Sequence, residues 1–395
     1  MSLGNSFERG SYLSVYGAPE HQEEHIIDFG RFESLQPQEE SLVRLDEEEK
    51  IHQTLSSGVP VLLRGRTRSG NSTFLESLSH HYYPNAYTVS GSELGEQASA
   101  VSGNDEEWSS KKIEIMRTTL FYRAFRKYVS ARNDSDDLTD KFMQSPDPLK
   151  FFNEVLERDG QEVLLTIEEA LLASSFSQNP DEVAKSFELM ADMGKESHIH
   201  LTVQMHWSSS EQDALSTAFS GFSEYFLRPL SEGEIKVIIE DLLSNTGIHV
   251  DDEVYSAMYH YSGGRPVEAK LAAKVMLVHG LSMRPKEGLF TMREWSEVEA
   301  LPPRQMLGSS YQSILGSIQH DVGSLSVHEQ NTLKTIIAGG EIFEGDLPMV
   351  NTLSKLGFIE EYELGYRIKG IIQQQLLGEV FANFKWAGEV KAGTL

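Results

Sequence analysis

The segment that most constrains this chain is Gly65-Arg66-Thr67-Arg68-Ser69-Gly70-Asn71-Ser72, because of what flanks it. Val59-Pro60-Val61-Leu62-Leu63-Arg64 before it reads as a short strand buried on both faces, with Pro60 tolerated only at its start. Ser72 to Leu78 after it puts Phe74, Leu75 and Leu78 on one side of a helix. A strand that turns through glycines straight into a helix leaves a row of backbone N–H groups without intrahelical acceptors, and such a row attracts anions. A strand apolar on both faces also needs neighbours, which means a parallel sheet covered by helices.

The chain supplies those neighbours. Glu162-Val163-Leu164-Leu165-Thr166-Ile167 reads as a second buried strand and Ile199 to Gln204 as a third. Helical segments lie between them: Ile113 to Arg132, and a helix opened by Asp147-Pro148 and stopped at Asp159-Gly160. A further helix precedes the first strand, from near Asp46 to Gly58. The expected class is α/β, a parallel sheet carrying a phosphate-binding loop. Residues 1–40 lack periodicity and read as an acidic arm, since Pro19 to Lys50 holds eleven Asp or Glu against Arg31, Arg44 and Lys50. Ser90 to Lys112 reads as a loop.

Beyond Leu230 the pattern changes. Ser231 and Glu234 form a capping box before an amphipathic helix, Asp251 to Tyr261 makes a second, Gly263-Gly264 breaks it, and Pro266 opens a third. Residues 284–322 read as a linker. Ser326 and Glu329 then cap another helix, a helix around Val350 to Leu356 follows, and Phe358 to Tyr362 pairs with Tyr366 to Ile368 as a hairpin, the order of a winged helix. The expected domains are the arm at 1–40, a nucleotide-binding-type domain at 41–230, a helical lid at 231–283, the linker at 284–322 and a winged helix at 323–395.

The net charge of −26 repels nucleic acid unless a basic surface overrides it. Arg117 to Arg132 offers such a surface, although a solvated helix face explains the same charges. In the winged-helix segment, acidic residues outnumber Lys334, Lys355, Arg367 and Lys369, which favours protein contact. With no cysteine, thiolate chemistry is excluded. His80-His81 and His198 with His200 lack a ligand cluster at metal spacing. No apolar run is long enough for a membrane span and no leader pattern opens the chain, so a cytoplasmic protein is expected.

A loop of this frame grips a triphosphate with its backbone, a lysine that reaches the β and γ phosphates, and a hydroxyl for Mg²⁺. Gly65, Gly70 and Ser72 are in place, followed by Thr73; Asn71 stands where the lysine belongs. Asparagine donates hydrogen bonds but brings neither reach nor charge, leaving Arg66 and Arg68 as the cations within the loop. Glu168-Glu169 follow the second strand, where a nucleotide hydrolase places one carboxylate towards Mg²⁺ and another towards water. Opening a helix is an equally good use for the pair.

Taken in order, Val43 to Glu47, the glycine loop, Glu168-Glu169, the third strand, Leu227-Arg228-Pro229-Leu230-Ser231, Gly263-Gly264-Arg265-Pro266 and the terminal helices resemble the AAA+ and STAND class of ATPases over roughly residues 40 to 380. The resemblance implies a Walker A site at Gly65 to Ser72 and a Walker B pair at Glu168 and Glu169. It also implies a sensor at Gln204 or His206, nucleotide contact by Arg265 and Pro266, and a finger-like role for Arg228. The implied cofactor is ATP or ADP, with Mg²⁺ on Ser72 and Glu168; Asn71 makes a site without nucleotide the competing expectation. The expected function is a regulatory or scaffolding subunit that binds other proteins in a larger assembly, with little or no hydrolysis. Two alternatives stay open, an active ATP-dependent switch and a DNA-associated regulator of the origin-binding type.

Overall fold

The computed structural model describes residues 12–16, 24–28, 43–90, 120–130, 132–168, 198–206, 219–244, 248–283, 289–362 and 365–383. Contacts divide the chain into two compact units, a sheet unit of Arg44–Arg66 with Asn71–Leu227, and a helical unit of Met1–Val43, Thr67–Gly70 and Arg228–Leu395. In the arm, β1 (Tyr12–Tyr16) and β2 (Glu24–Asp28) pair antiparallel, a hairpin where the sequence shows only an extended segment.

In the sheet unit, α1 (Leu45–Ser56) leads into β3 (Val61–Gly65), and α2 (Asn71–Tyr82) follows the glycine loop. Then come β4 (Ala86–Ser90), α3 (residues 120–129), α4 (Ser135–Gln144), α5 (Pro148–Asp159), β5 (Val163–Glu168), β6 (Ile199–His206) and β7 (Ser223–Phe226). The strands are all parallel, in the order β4-β5-β6-β3-β7. The strand next in sequence after β3 therefore lies at the far edge, and the crevice beside the carboxyl end of β3 is a topological switch point, where open α/β sheets bind ligands.

Side-chain alternation builds three layers. Val61, Leu63 and Leu164 face α1 and α2 with Ile51, Leu55, Phe74, Leu75 and Leu78. Leu62, Val163, Leu165, Ile167, Leu201 and Val203 face the opposite side, against Phe121, Phe125, Phe142 and Phe152. Each fully buried side chain of this size contributes about 1.5–3 kcal/mol, which makes these two faces the main source of stability. The breakers act as their chemistry requires: Asp147 accepts from the Lys150 N–H at the start of α5, and Gly160 (φ 61) ends it. Sequence patterning shows β3, β5 and β6 but not β4 or β7, which are short and half-exposed.

The helical unit holds α6 (Glu232–Leu243), β8 (His249–Val250), α7 (Asp252–Ser262), α8 (Pro266–Met283) and β9 (Leu289–Phe290), with β8 and β9 paired. Of the expected linker at 284–322, residues 284–288 lie outside the described residues and the rest is largely helical: α9 (Met292–Glu299), α10 (Pro303–Leu307) and α11 (Tyr311–Gly323). Thr291 and Glu294 form a capping box on α9, and Trp295 is fully buried. The chain continues as α12 (Val327–Ile337), α13 (Leu347–Lys355), the hairpin β10 (Ile359–Tyr362) and β11 (Gly365–Ile368), and α14 (Ile371–Asn383).

Candidate functional site

The glycine loop leaves β3 at Gly65, takes left-handed backbone at Arg68 (φ 64) and Gly70 (φ 94), and enters α2 at Asn71. Glycine adopts that region without cost, whereas an arginine there stores on the order of 1 kcal/mol. Asn71 and Arg66 are buried, Thr73 is half-buried and Ser72 is exposed on the first turn of α2. The position that a lysine would use is thus filled by a short amide with 5 % exposure.

β6 separates β3 from β5. Gly65 lies opposite His206 and Ile167 opposite Val203, so Glu168 continues the ladder beside Gln204. By the two-residue period, Thr166 and Glu168 on β5 and Thr202 and Gln204 on β6 share the side that faces α2. The sequence-expected Glu168, Gln204 and glycine loop are therefore gathered at the carboxyl edge of three adjacent strands, with Glu168 about 10 Å across the sheet from the β3 line. Glu169 lies outside the described residues. Thr166 and Thr202 are buried, and their hydroxyls have no hydrogen-bond partner among the described residues.

The loop tip, Thr67–Gly70, belongs to the helical unit by its contacts. The Thr67 N–H donates to Asp321 Oδ1 on α11 at 3.0 Å. Arg265 Nη2 donates to the Thr67 carbonyl at 3.4 Å and Nη1 to Gln373 Oε1 at 3.3 Å, while Nε pairs with Glu268 Oε1 at 2.9 Å. Arg68 Nη1 donates to Ser313 Oγ at 3.3 Å. Burial holds the Arg68 guanidinium below its usual pKa, partly offset by Glu268, with Arg265 adding to the lowering.

Arg265 is set by the turn before it. A Cβ on Gly264 (φ 78) would stand 2.2 Å from the Leu230 carbonyl oxygen, and one on Gly263 (φ 65) 2.5 Å from that of Lys369. Only glycines allow these backbones to meet, and Pro266 then opens α8. Arg228 does not project as a free finger: its two terminal nitrogens grip both oxygens of Glu234 at 2.7 Å.

The candidate metal histidines have other uses. His81 Nδ1 meets Glu48 Oε2 at 2.7 Å, and Ser77 donates to Oε1 of the same fully buried carboxylate at 2.5 Å. His200 bonds to the Leu55 carbonyl and to Glu162. Among the described residues no group of three potential ligands forms a metal site.

A parallel sheet in this strand order, with a glycine loop leaving β3 at the switch point, is an α/β fold of the P-loop NTPase type. No family model matches the chain, and no curated protein matches it. Among solved structures, the chain is similar to the Walker-type ATPase PABY2304 of Pyrococcus abyssi, at 16 % identity over 85 % of this chain and 95 % of that one, with a TM-score of 0.51. The RuvB Holliday junction branch migration motor of Thermotoga maritima gives 14 % identity, coverage of 86 % and 96 %, and a TM-score of 0.40. The Orc1 protein of Aeropyrum pernix, solved in complex with DNA, gives 12 %, 85 %, 92 % and 0.37 for the same quantities. At 16 % identity the Pyrococcus likeness shows the fold.

As arranged, the described residues do not fit a Mg²⁺–triphosphate in the usual grip. The loop frame, the Ser72 hydroxyl and the Glu168 carboxylate are present, but no ammonium follows Gly70, and the Thr67 N–H is already held by a carboxylate. No helix among the described residues is long and apolar enough to cross a membrane.

Proposed function

We propose that this chain is a STAND-like regulatory or scaffolding subunit with a degenerate Walker A loop, which works by binding other proteins in a larger assembly and turns over little or no ATP. The observation that carries this reading is Asn71, buried at the first position of α2 where phosphate charge would need a cation. Losing that cation removes the electrostatic stabilisation on which phosphoryl transfer chiefly depends. The loop arginines are poor substitutes: Arg66 is 8 % exposed, and Arg68 is tied to Ser313 and lies beside Glu268.

The α12–α14 segment, with its helix, helix and hairpin order, supports a winged-helix role in protein contact. Glu341, Glu344 and Glu361 are exposed on it, and Arg367 is spent on Glu360. Nucleic acid is the less favoured partner, since on the basic α3 Lys127 caps the Ala86 carbonyl and the neighbouring Arg132 pairs with Asp134 and Asp159. A cytoplasmic location accompanies this reading.

Phosphate release from purified protein with Mg²⁺–ATP tests it. The expected result is a rate at background that Asn71→Ala leaves unchanged. A class-typical rate abolished by Asn71→Ala would overturn the proposal.

A further inference from the structure

The contacts of the loop tip point beyond a missing lysine. Thr67–Gly70 is the stretch of backbone that a phosphate group needs free, because a glycine loop binds oxyanions through its N–H groups. Here the Thr67 N–H already donates to a carboxylate oxygen, Asp321 Oδ1, at 3.0 Å. Asp321 is 6 % exposed, so its charge is placed at the loop by the packing of α11 and does not come from a mobile surface side chain. A carboxylate on a backbone amide is a charge-assisted hydrogen bond, the same interaction a phosphate oxygen would make.

The charges around it complete the substitution. Two cations reach the loop tip, Arg265 through the Thr67 carbonyl and Arg68 from within the loop. Two carboxylates answer them: Glu268, 1 % exposed and 2.9 Å from Arg265 Nε, and Asp321 itself. A phosphate entering there would meet these two carboxylates.

We infer that Asp321 is an internal ligand of the loop: its carboxylate occupies the N–H position of a nucleotide phosphate and keeps the loop closed to polyphosphates. This rests on the scaffold reading, since a protein that works by binding partners gains from an ATPase frame whose phosphate position is filled from within the chain. The contact is autoinhibitory in form, and anything that draws α11 away from Thr67 opens the loop.

Calorimetric titration of the full chain with Mg²⁺–ATP and, separately, with inorganic pyrophosphate tests the inference. Asp321→Ala should bind both at least about tenfold more tightly than the wild type, the scale of losing one competing charge-assisted hydrogen bond. Asp321→Asn, which keeps an acceptor but loses the charge, should fall between the two and guards against a failure of the alanine variant to fold. Glu361→Gln, which removes an equal charge from an exposed position on β10, should leave affinity unchanged and so separates local release from relief of the overall negative charge. Unchanged affinity for both probes in folded Asp321 variants, or an equal gain in Glu361→Gln, would overturn the inference. ATP turnover by the wild type would remove the scaffold reading alone, because tighter binding by Asp321→Ala would still stand beside it.

Discussion

At the residue scale, single side chains decide between chemistry and structure. Thr202 is fully buried and its hydroxyl has no hydrogen-bond partner among the described residues. Removing such a group relieves a desolvation penalty, so Thr202→Val should raise stability in urea by about 1 kcal/mol; a loss would show that the hydroxyl is satisfied in solution. Glu48 is the opposite case, a fully buried carboxylate shared by Ser77 and His81, and Glu48→Ala should cost about 3 kcal/mol in the same assay. His52 is held below its ordinary pKa by burial, reinforced by His200 and partly offset by Glu162 and Glu49. A group whose folded pKa is depressed stabilises the fold above its unfolded value and loses that contribution as pH falls. Stability should thus decline below about pH 6.5, with a shallower slope in His52→Phe. The sequence made Asn71 legible because the lysine belongs at a fixed spacing. Glu48, Ser77 and His81 were not legible, since nothing local announces that α1 and α2 share a buried carboxylate.

At the element scale, the punctuation residues were the most readable features. The capping boxes at Ser231 and Ser326, the Pro148 start and the Gly160 stop all stand where their chemistry places them. Within 284–322, Pro302-Pro303 and Gly308 interrupt the pattern and suggest a linker, while the capping box of Thr291 and Glu294 is the local signal that α9 begins there. Strand order was beyond sequence reasoning, because β4 lies at the far edge from β3 although it follows it in the chain. The Gly263-Gly264 turn yields a sharp expectation: Gly264→Ala combines a positive φ with a contact of 2.2 Å to backbone. It should lower the melting transition by the equivalent of about 1–3 kcal/mol, and a neutral result would contradict the turn as described. At the head of α6, Glu234 is driven down to about 2 although burial opposes it, by the Arg228 guanidinium and the Ser231 cap. Its contribution is present above the ordinary carboxylate range near 4 and is lost as pH falls towards 2, which Glu234→Gln should remove from an acid titration.

At the scale of the whole molecule, charge and fold pull apart. The fold is of the P-loop NTPase type, yet a net charge of −26 repels polyanions and a carboxylate is held at the loop tip. The contact that most changes the meaning of the glycine loop joins Thr67 to Asp321, and no local pattern reveals a hydrogen bond between residues so distant in sequence. What the sequence could show was the missing lysine; what the packing adds is a carboxylate in its neighbourhood. The central claim is an ATPase frame without turnover, and single-turnover hydrolysis of Mg²⁺–ATP by the wild type beside Glu168→Gln tests it most directly. Equal rates at background are predicted; a wild-type rate at least tenfold above that of Glu168→Gln would contradict the account.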